Sequence, residues 1–443
     1  MTMAADKQDK VLNFSSEREQ SGTCSSSAER ENNQGKNFLN VPNLRFPHFT
    51  EKWTECELQD IANICKGAGI SKDQLSDSGE LCILYGELYT KYKSEVIADV
   101  ISKTDIDTSN LVRSKANDVI IPSSGETAID ISTARCVPFD NILLGGDLNI
   151  IRLKDQDGRF FSYQLNGVRK LDIARIAQGV SVVHLYGDNL KRLKVQYPSI
   201  AEQEKIATLL TAIDERITSQ IRIIDKLKSL MQGLNNELMN NPKWAKVYVG
   251  DFMEFFSTNS LSWDQLSYDK GQVRNLHYGL IHSGLPTLVE CQKVHLPYIQ
   301  EGSLPKQYVI CKDGDVTFAD ASEDTAEIGK AVELTNIDNQ DIICGLHTIH
   351  GRDVKNMTIV GFKGFAFNSK YFHDQLRRIA QGSKVYSINT ENVKSCQLYI
   401  PSIAEQQKIV GLLRCMQDKI DVVKQELRQY YLQKHFLLKG LFV

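Results

Sequence analysis

Two stretches of the chain carry apolar residues spaced alternately four and three apart, each for about five heptads. The first runs Ile206, Leu210, Ile213, Ile217, Gln220, Ile224, Leu227 and on to Leu238. The second runs Ile409, Leu413, Met416, Ile420, Val423, Leu427 and on to Leu441. A period of 3.5 sustained this long predicts a coiled-coil seam, with Gln220 its polar member in the first series. Each helix, of about 40 residues, would be roughly 60 Å long. Ser199-Ile-Ala-Glu202 and Ser402-Ile-Ala-Glu405 open the two helices as S-x-x-E capping boxes. A proline precedes each box (Pro198, Pro401) and favours an extended approach, and Asn240-Asn241-Pro242 stops the first helix.

Between these helices the pattern changes. Residues 41–198 and 242–401 hold short apolar runs such as Asp118-Val-Ile-Ile-Pro122 and Leu148-Asn-Ile-Ile-Arg-Leu153, bounded by Gly, Asp, Asn and Pro. These read as strands mixed with helices, an α/β (α+β) class. Residues 1–40 are rich in Ser, Asn, Gln, Glu and Lys, with too few apolar residues to offset the entropy of ordering, and are expected to be a disordered tail.

The chain is also written twice. Arg175-Ile-Ala-Gln-Gly179 recurs at 378–382, and Pro198-Ser-Ile-Ala-Glu-Gln203 at 401–406, both offset by 203 positions. Weaker echoes precede them, among them Asn117–Thr127 against Gly314–Asp324. A period near 200 means two homologous domains rather than a solenoid. The expected organisation is a tail (1–40), domain 1 (41–198), spacer helix 1 (199–241), domain 2 (242–401) and spacer helix 2 (402–443). The first helix delivers the chain to the second domain, so the second helix buries its seam by running back along the first. An antiparallel pair and a dumbbell with a pseudo-two-fold axis follow.

Composition narrows the function. Of 443 residues 42% are hydrophobic, and 52 basic against 55 acidic residues leave a net charge of −3, which excludes nucleic-acid binding through bulk positive charge but not through local patches. The N-terminus lacks an apolar signal core and no run of eighteen apolar residues occurs, so no membrane segment is expected. The ten cysteines are scattered without a C-x-x-C pair, and buried reduced thiols in a cytosolic protein are expected rather than a metal cluster. His347 and His350, three apart, read as polar residues in a turn.

Catalytic motifs are missing. Glu327-Ile-Gly-Lys-Ala331 lacks the leading glycine and the hydroxyl of a phosphate-binding loop, and neither H-E-x-x-H nor Glu-x-Lys is present. What each half does carry is a cationic stretch before its long helix. Residues 151–194 hold nine basic and four acidic residues, and residues 350–384 hold seven and two, with aromatics interleaved. Cations that meet phosphates raise affinity, and neighbouring polar side chains read base edges. In the first half this singles out Arg169, Lys170, Arg175, Gln178 and Ser181, with Ser123 and Ser124 in an exposed turn. In the second it singles out Lys363, Lys370, Arg377, Arg378, Gln381, Ser383 and Lys384. No catalytic or metal-ligating residue is assigned.

The order VPNLRFPHF…W, DVIIPSSGE, RIAQG and YPSIAEQEKIATLLTAIDERI, the last repeated as IPSIAEQQKIVGLLRCMQDKI, resembles the specificity subunit of type I restriction–modification enzymes over residues 41–443. The resemblance implies a non-catalytic subunit in which each domain reads one half of a bipartite double-stranded DNA site. It further implies that the helices set the spacer and dock two methyltransferase subunits, with restriction–translocase subunits in a full complex. S-adenosylmethionine, ATP and Mg would then be bound by those partners, none by this chain, and the complex would lie in the bacterial cytoplasm with the nucleoid. The alternative is a coiled-coil scaffold with two protein-binding domains and no role on DNA.

Overall fold

A computed structural model describes residues 41–325, 327–382 and 384–443. The expected tail and Ser383 lie outside the described residues. The chain divides into two compact units, each built from one repeat and a part of both long helices: residues 41–223 with 423–443, and residues 224–422.

In the first unit the run DVIIP becomes the strand Asp118–Pro122, buried at every position. It lies between Leu148–Leu153 and Arg135–Val137 in an antiparallel sheet that Ala62–Lys66 completes beside Leu148–Leu153. Helix Gly158–Asn166 begins at Asp157, whose carboxylate accepts from the N–H groups of Arg159 and Phe160. That cap satisfies backbone donors the helix leaves open. The helix sets Phe160, Phe161, Tyr163 and Leu165 against Val119, Ile121 and Ile151 of the sheet.

The second unit repeats this plan. Val316–Ala319 lies between Thr348–Asp353 and Ala331–Thr335 in a five-stranded sheet, covered by helix Phe362–Phe367. Phe318, Phe367 and Phe372 meet there, with two edge-to-face contacts at 4.8 Å. The equivalence reaches single side chains. Arg152 grips Asp118 through Nε and Nη2 at 2.9 and 2.7 Å; Arg352 grips Asp315 in the same way at 2.8 and 2.7 Å. Both aspartates also accept a backbone N–H at 2.8 Å, from Lys115 and Lys312.

The long helices span Ile200–Leu238 and Ile403–Gly440. The glutamine of each P-S-I-A-E-Q segment fastens its helix to the unit that precedes it. Gln203 accepts from Asp157 N–H and donates to the Pro198 carbonyl; Gln406 accepts from Ile359 N–H and donates to the Pro401 carbonyl. Both are fully buried. The second capping box forms, with Ser402 N–H donating to Glu405 and the Glu405 N–H to Ser402 Oγ. The first does not take the expected shape. Glu202 instead pairs with both ends of the Arg45 guanidinium at 2.8 and 2.7 Å, because the segment around Leu44 packs beside the helix start.

The seam is buried at Ile206, Leu210, Ile213, Ile217, Ile224, Ile409, Leu413 and Ile420, and only half-buried at Leu227, Met416, Val423 and Leu427. Its early heptads do not serve helix pairing alone. Ile206 and Leu210 belong to the core of the first unit, and Ile409 and Leu413 to that of the second. Within the first unit the helices run antiparallel: Asp214 meets Lys434, while Gln220, six residues later, meets Glu426, eight residues earlier.

Candidate nucleic-acid interface

In both units a helix that opens with a lysine leads into a tight glycine hairpin. Helix Lys170–Ile176 ends at an extended Ala177, and helix Lys370–Ile379 at an extended Ala380. The chain then reverses. Gln178 and His184 exchange both backbone hydrogen bonds at 2.9 and 2.7 Å, and Gln381 and Ser387 at 3.0 and 2.8 Å. Gly179 and Gly382 make the reversal, at φ +121° and +132°, where a Cβ would strike the carbonyl of Val182 or Val385. Only glycine holds this conformation without strain.

Each hairpin is anchored on its far side by a two-residue strand pair, Ser124–Gly125 with Val183–His184 and Ala321–Ser322 with Tyr386–Ser387. The turn at Ser123 and Ser124 is thereby brought beside Gln178, although Ser123 itself is buried. Asp320 and Ala321 take the corresponding places in the second unit, where the sequence shows no PSSG turn.

The tips are open to solvent. Gln178, Ser181, Gln381 and Lys384 are exposed, and Val180 is 97% exposed. Sequence reasoning passed over four neighbours. Exposed His184 and Tyr186 stack at 6.1 Å beside the first tip. Beside the second, His282 bonds the Ala321 carbonyl at 2.9 Å, and Tyr278 lies edge-on to both His282 and His347. Such flat rings next to cations offer surfaces on which bases can stack.

The cations divide into two groups. Arg175, Lys370, Arg377, Arg378 and Lys384 are exposed. Asp172 pairs with Arg175 at 3.0 Å, and Asp374 with Lys370 at 2.6 Å and Arg377 at 3.9 Å. The hydrogen bond from Lys370 holds the Asp374 carboxyl below its ordinary range. Open clefts lie here: one of about 640 Å³ among Arg169, Arg175, Gln178 and Arg192, one of about 350 Å³ among Thr325, Asp374, Arg377 and Arg378.

Lys154, Arg192, Lys194 and Lys355 are exposed too, but other cations of the two stretches are held within the fold. Lys363 is buried, 3.1 Å from Glu333. Arg169 donates to Gln196 and to the Val443 carbonyl at 3.0 and 3.2 Å. Lys170 is partly buried, which pushes its ammonium below the ordinary lysine value. Arg152, Arg159 and Arg352 are held by Asp118, Asp157 and Asp315. Of the interleaved aromatics, Phe160, Phe161, Phe362, Phe365, Phe367 and Phe372 are core side chains.

Known proteins resemble this chain in sequence and in fold. Residues 50–229 match the type I restriction modification DNA specificity domain. Over this span the chain is similar to the DNA specificity domains of type I restriction–modification systems. A relative from Methanocaldococcus jannaschii, the type I restriction enzyme MjaVIII specificity subunit, is 20% identical over 413 residues, covering 89% of this chain and 92% of its own. The fold is that of the S subunit of a type I restriction–modification system from M. genitalium (TM-score 0.55, 16% identity, 91% of this chain and 99% of the other). A chain from a study of complex assembly and conformational transition in a type I R-M system shares it as well (TM-score 0.54, 13% identity, 88% and 97%). A specificity subunit confers DNA sequence specificity and is not itself catalytic. No helix among the described residues is long and apolar enough to cross a membrane.

Proposed function

We propose that this chain is a type I specificity subunit, and that each of its units reads one half of a bipartite duplex site through its glycine hairpin. The observation that carries this reading is the recurrence of one device in both repeats: a hairpin tip with an exposed glutamine, set between exposed cations and flat rings. Glutamine can pair with adenine through two hydrogen bonds, and arginine with guanine, while lysine and arginine meet phosphates. The tips differ, Val180-Ser181-Val182 against Lys384-Val385 after the second glycine and Ser383, as expected of loops that read different bases.

The two long helices, 39 and 38 residues, would be about 58 Å long at 1.5 Å per residue and set the spacer between the half-sites. The partners are two methyltransferase subunits, with restriction–translocase subunits in the full complex. These hold S-adenosylmethionine, ATP and Mg, and the assembly works in the cytoplasm on the nucleoid.

Equilibrium binding to duplex DNA, with the cognate methyltransferase subunit present and over a series of salt concentrations, tests the reading. One sequence should bind far more tightly than a scrambled one, with affinity falling as salt rises. Equal affinity for both sequences would favour a scaffold without a role on DNA.

A further inference from the structure

The second unit carries a buried group of ion-ligating side chains that the first unit lacks. Cys311, Cys344 and His350 each bring a ligand atom within 4.8 Å of the other two, and all three are buried. The sequence hides the group: the cysteines are 33 positions apart, and His350 lies inside the strand Thr348–Asp353 rather than in the expected turn.

The pairing registers identify what stands here in the first repeat. Thr317 faces His350 across the sheet as Ile120 faces Ile150. Counting from the paired aspartates Asp118 and Asp315 places Ser114 opposite Cys311, and counting from Arg152 and Arg352 places Leu144 opposite Cys344. Ile120, Leu144 and Ile150 form an ordinary apolar core. The second repeat has put a hydroxyl, a thiol and an imidazole in their places, and burying polar groups costs stability unless something compensates it.

The geometry suits an ion that would compensate it. The two Sγ atoms stand 3.6 Å apart. That is far longer than a disulfide of about 2.05 Å, and close to the roughly 3.8 Å that two sulfurs keep on a tetrahedral zinc at about 2.3 Å each. His350 Nε2 bonds Asp315 at 2.7 Å, which leaves Nδ1 as the ring nitrogen for an ion. Asp315 is in turn fixed by Arg352. A carboxylate that orients a histidine from behind is the usual support of a metal-bound imidazole. Thr317 Oγ1, 3.0 Å from Cys344 Sγ, is the oxygen at hand for a fourth position. Two thiolates and a neutral imidazole also cancel the charge of a divalent cation, as a dry core requires.

We propose that Cys311, Cys344 and His350 bind one zinc ion, which clamps the strands Asp341–Cys344 and Thr348–Asp353 of the second unit. The site is structural and lies apart from the hairpin Gln381–Ser387.

The test uses the full chain, expressed with added zinc and purified anaerobically without chelator. About one zinc per chain is expected. After exchange with cobalt(II), the chain should show an intense sulfur-to-cobalt charge-transfer band of two-thiolate strength. Cys344→Ser and His350→Gln should lose the stoichiometric metal, while Cys65→Ser, at an exposed cysteine, should keep it. The unsubstituted chain decides the matter even where a variant fails to fold. Metal far below one equivalent, cobalt bound without the sulfur band, or a Cys311–Cys344 disulfide in the anaerobic chain would each overturn the assignment.

Discussion

Lys434 on the second long helix places its ammonium 2.6 Å from Asp214 on the first and 2.5 Å from Glu95 in the globular part of the same unit. All three are largely buried, and Tyr163 closes the group, its hydroxyl donating to Asp214 at 2.7 Å and its ring lying 5.6 Å from the lysine nitrogen. One cation therefore ties both helices to the first repeat. Removing it strands two carboxylates in the interior. Lys434→Met should lower the stability of the first unit by about 3–5 kcal/mol, read from urea denaturation. An unchanged midpoint would show that water reaches these carboxylates.

The same group should carry a pH signature. Burial, with Glu95 nearby, pushes the Asp214 carboxyl up to about 6. The folded chain then holds a proton between pH 4 and 6 that the unfolded chain releases. This group's contribution to stability is present at low pH and lost as pH rises through about 6. Asp214→Asn lacks that contribution, so its stability should decline less than wild type between pH 5 and 7.5. Parallel pH profiles for the two proteins would place Asp214 in the ordinary carboxylate range.

Much of this molecule was legible in its sequence because the signals were periodic or repeated. The four-three spacing located both helices, and the 203-residue offset located both hairpins. The ion pairs were not legible. Arg152 and Asp118 are 34 positions apart, Arg352 and Asp315 37, Lys363 and Glu333 30; strand registers bring the first two pairs together, and a helix packed on the sheet brings the third. Counting charge along the chain therefore assigned structural cations to a surface. Gln203 and Gln406 were visible as repeated letters, yet their work as latches rests on carbonyls and N–H groups that only the fold positions.

Lys363 and the pair Arg377/Arg378 separate the two kinds of cation. Arg377→Ala with Arg378→Ala should weaken DNA binding by the assembled complex and reduce its salt slope by about 0.9 for each phosphate that is no longer neutralised. Lys363→Met should leave that slope unchanged while lowering the denaturation midpoint, because Glu333 loses its buried partner. Interchanged outcomes would mean that the exposed pair faces away from DNA.

Gly179→Ala and Gly382→Ala each force a Cβ against a backbone carbonyl at positive φ. A strained residue of this kind costs about 1–3 kcal/mol, and the hairpin tip should shift to relieve it. DNA discrimination should fall more than global stability, since each tip is exposed. Full discrimination in both variants would remove the hairpins from the interface.

The central claim, that two equivalent hairpins read two halves of one site, is tested most directly by methylome sequencing. Cells carrying the cognate methyltransferase subunit would express either the wild-type chain or one whose residues 381–387 are replaced by residues 178–184. Wild type should yield a single bipartite motif, and the exchange should alter or abolish recognition of one half-sequence while the other half and the spacer stay fixed. An identical motif from both chains, or a change in both halves at once, would contradict the account.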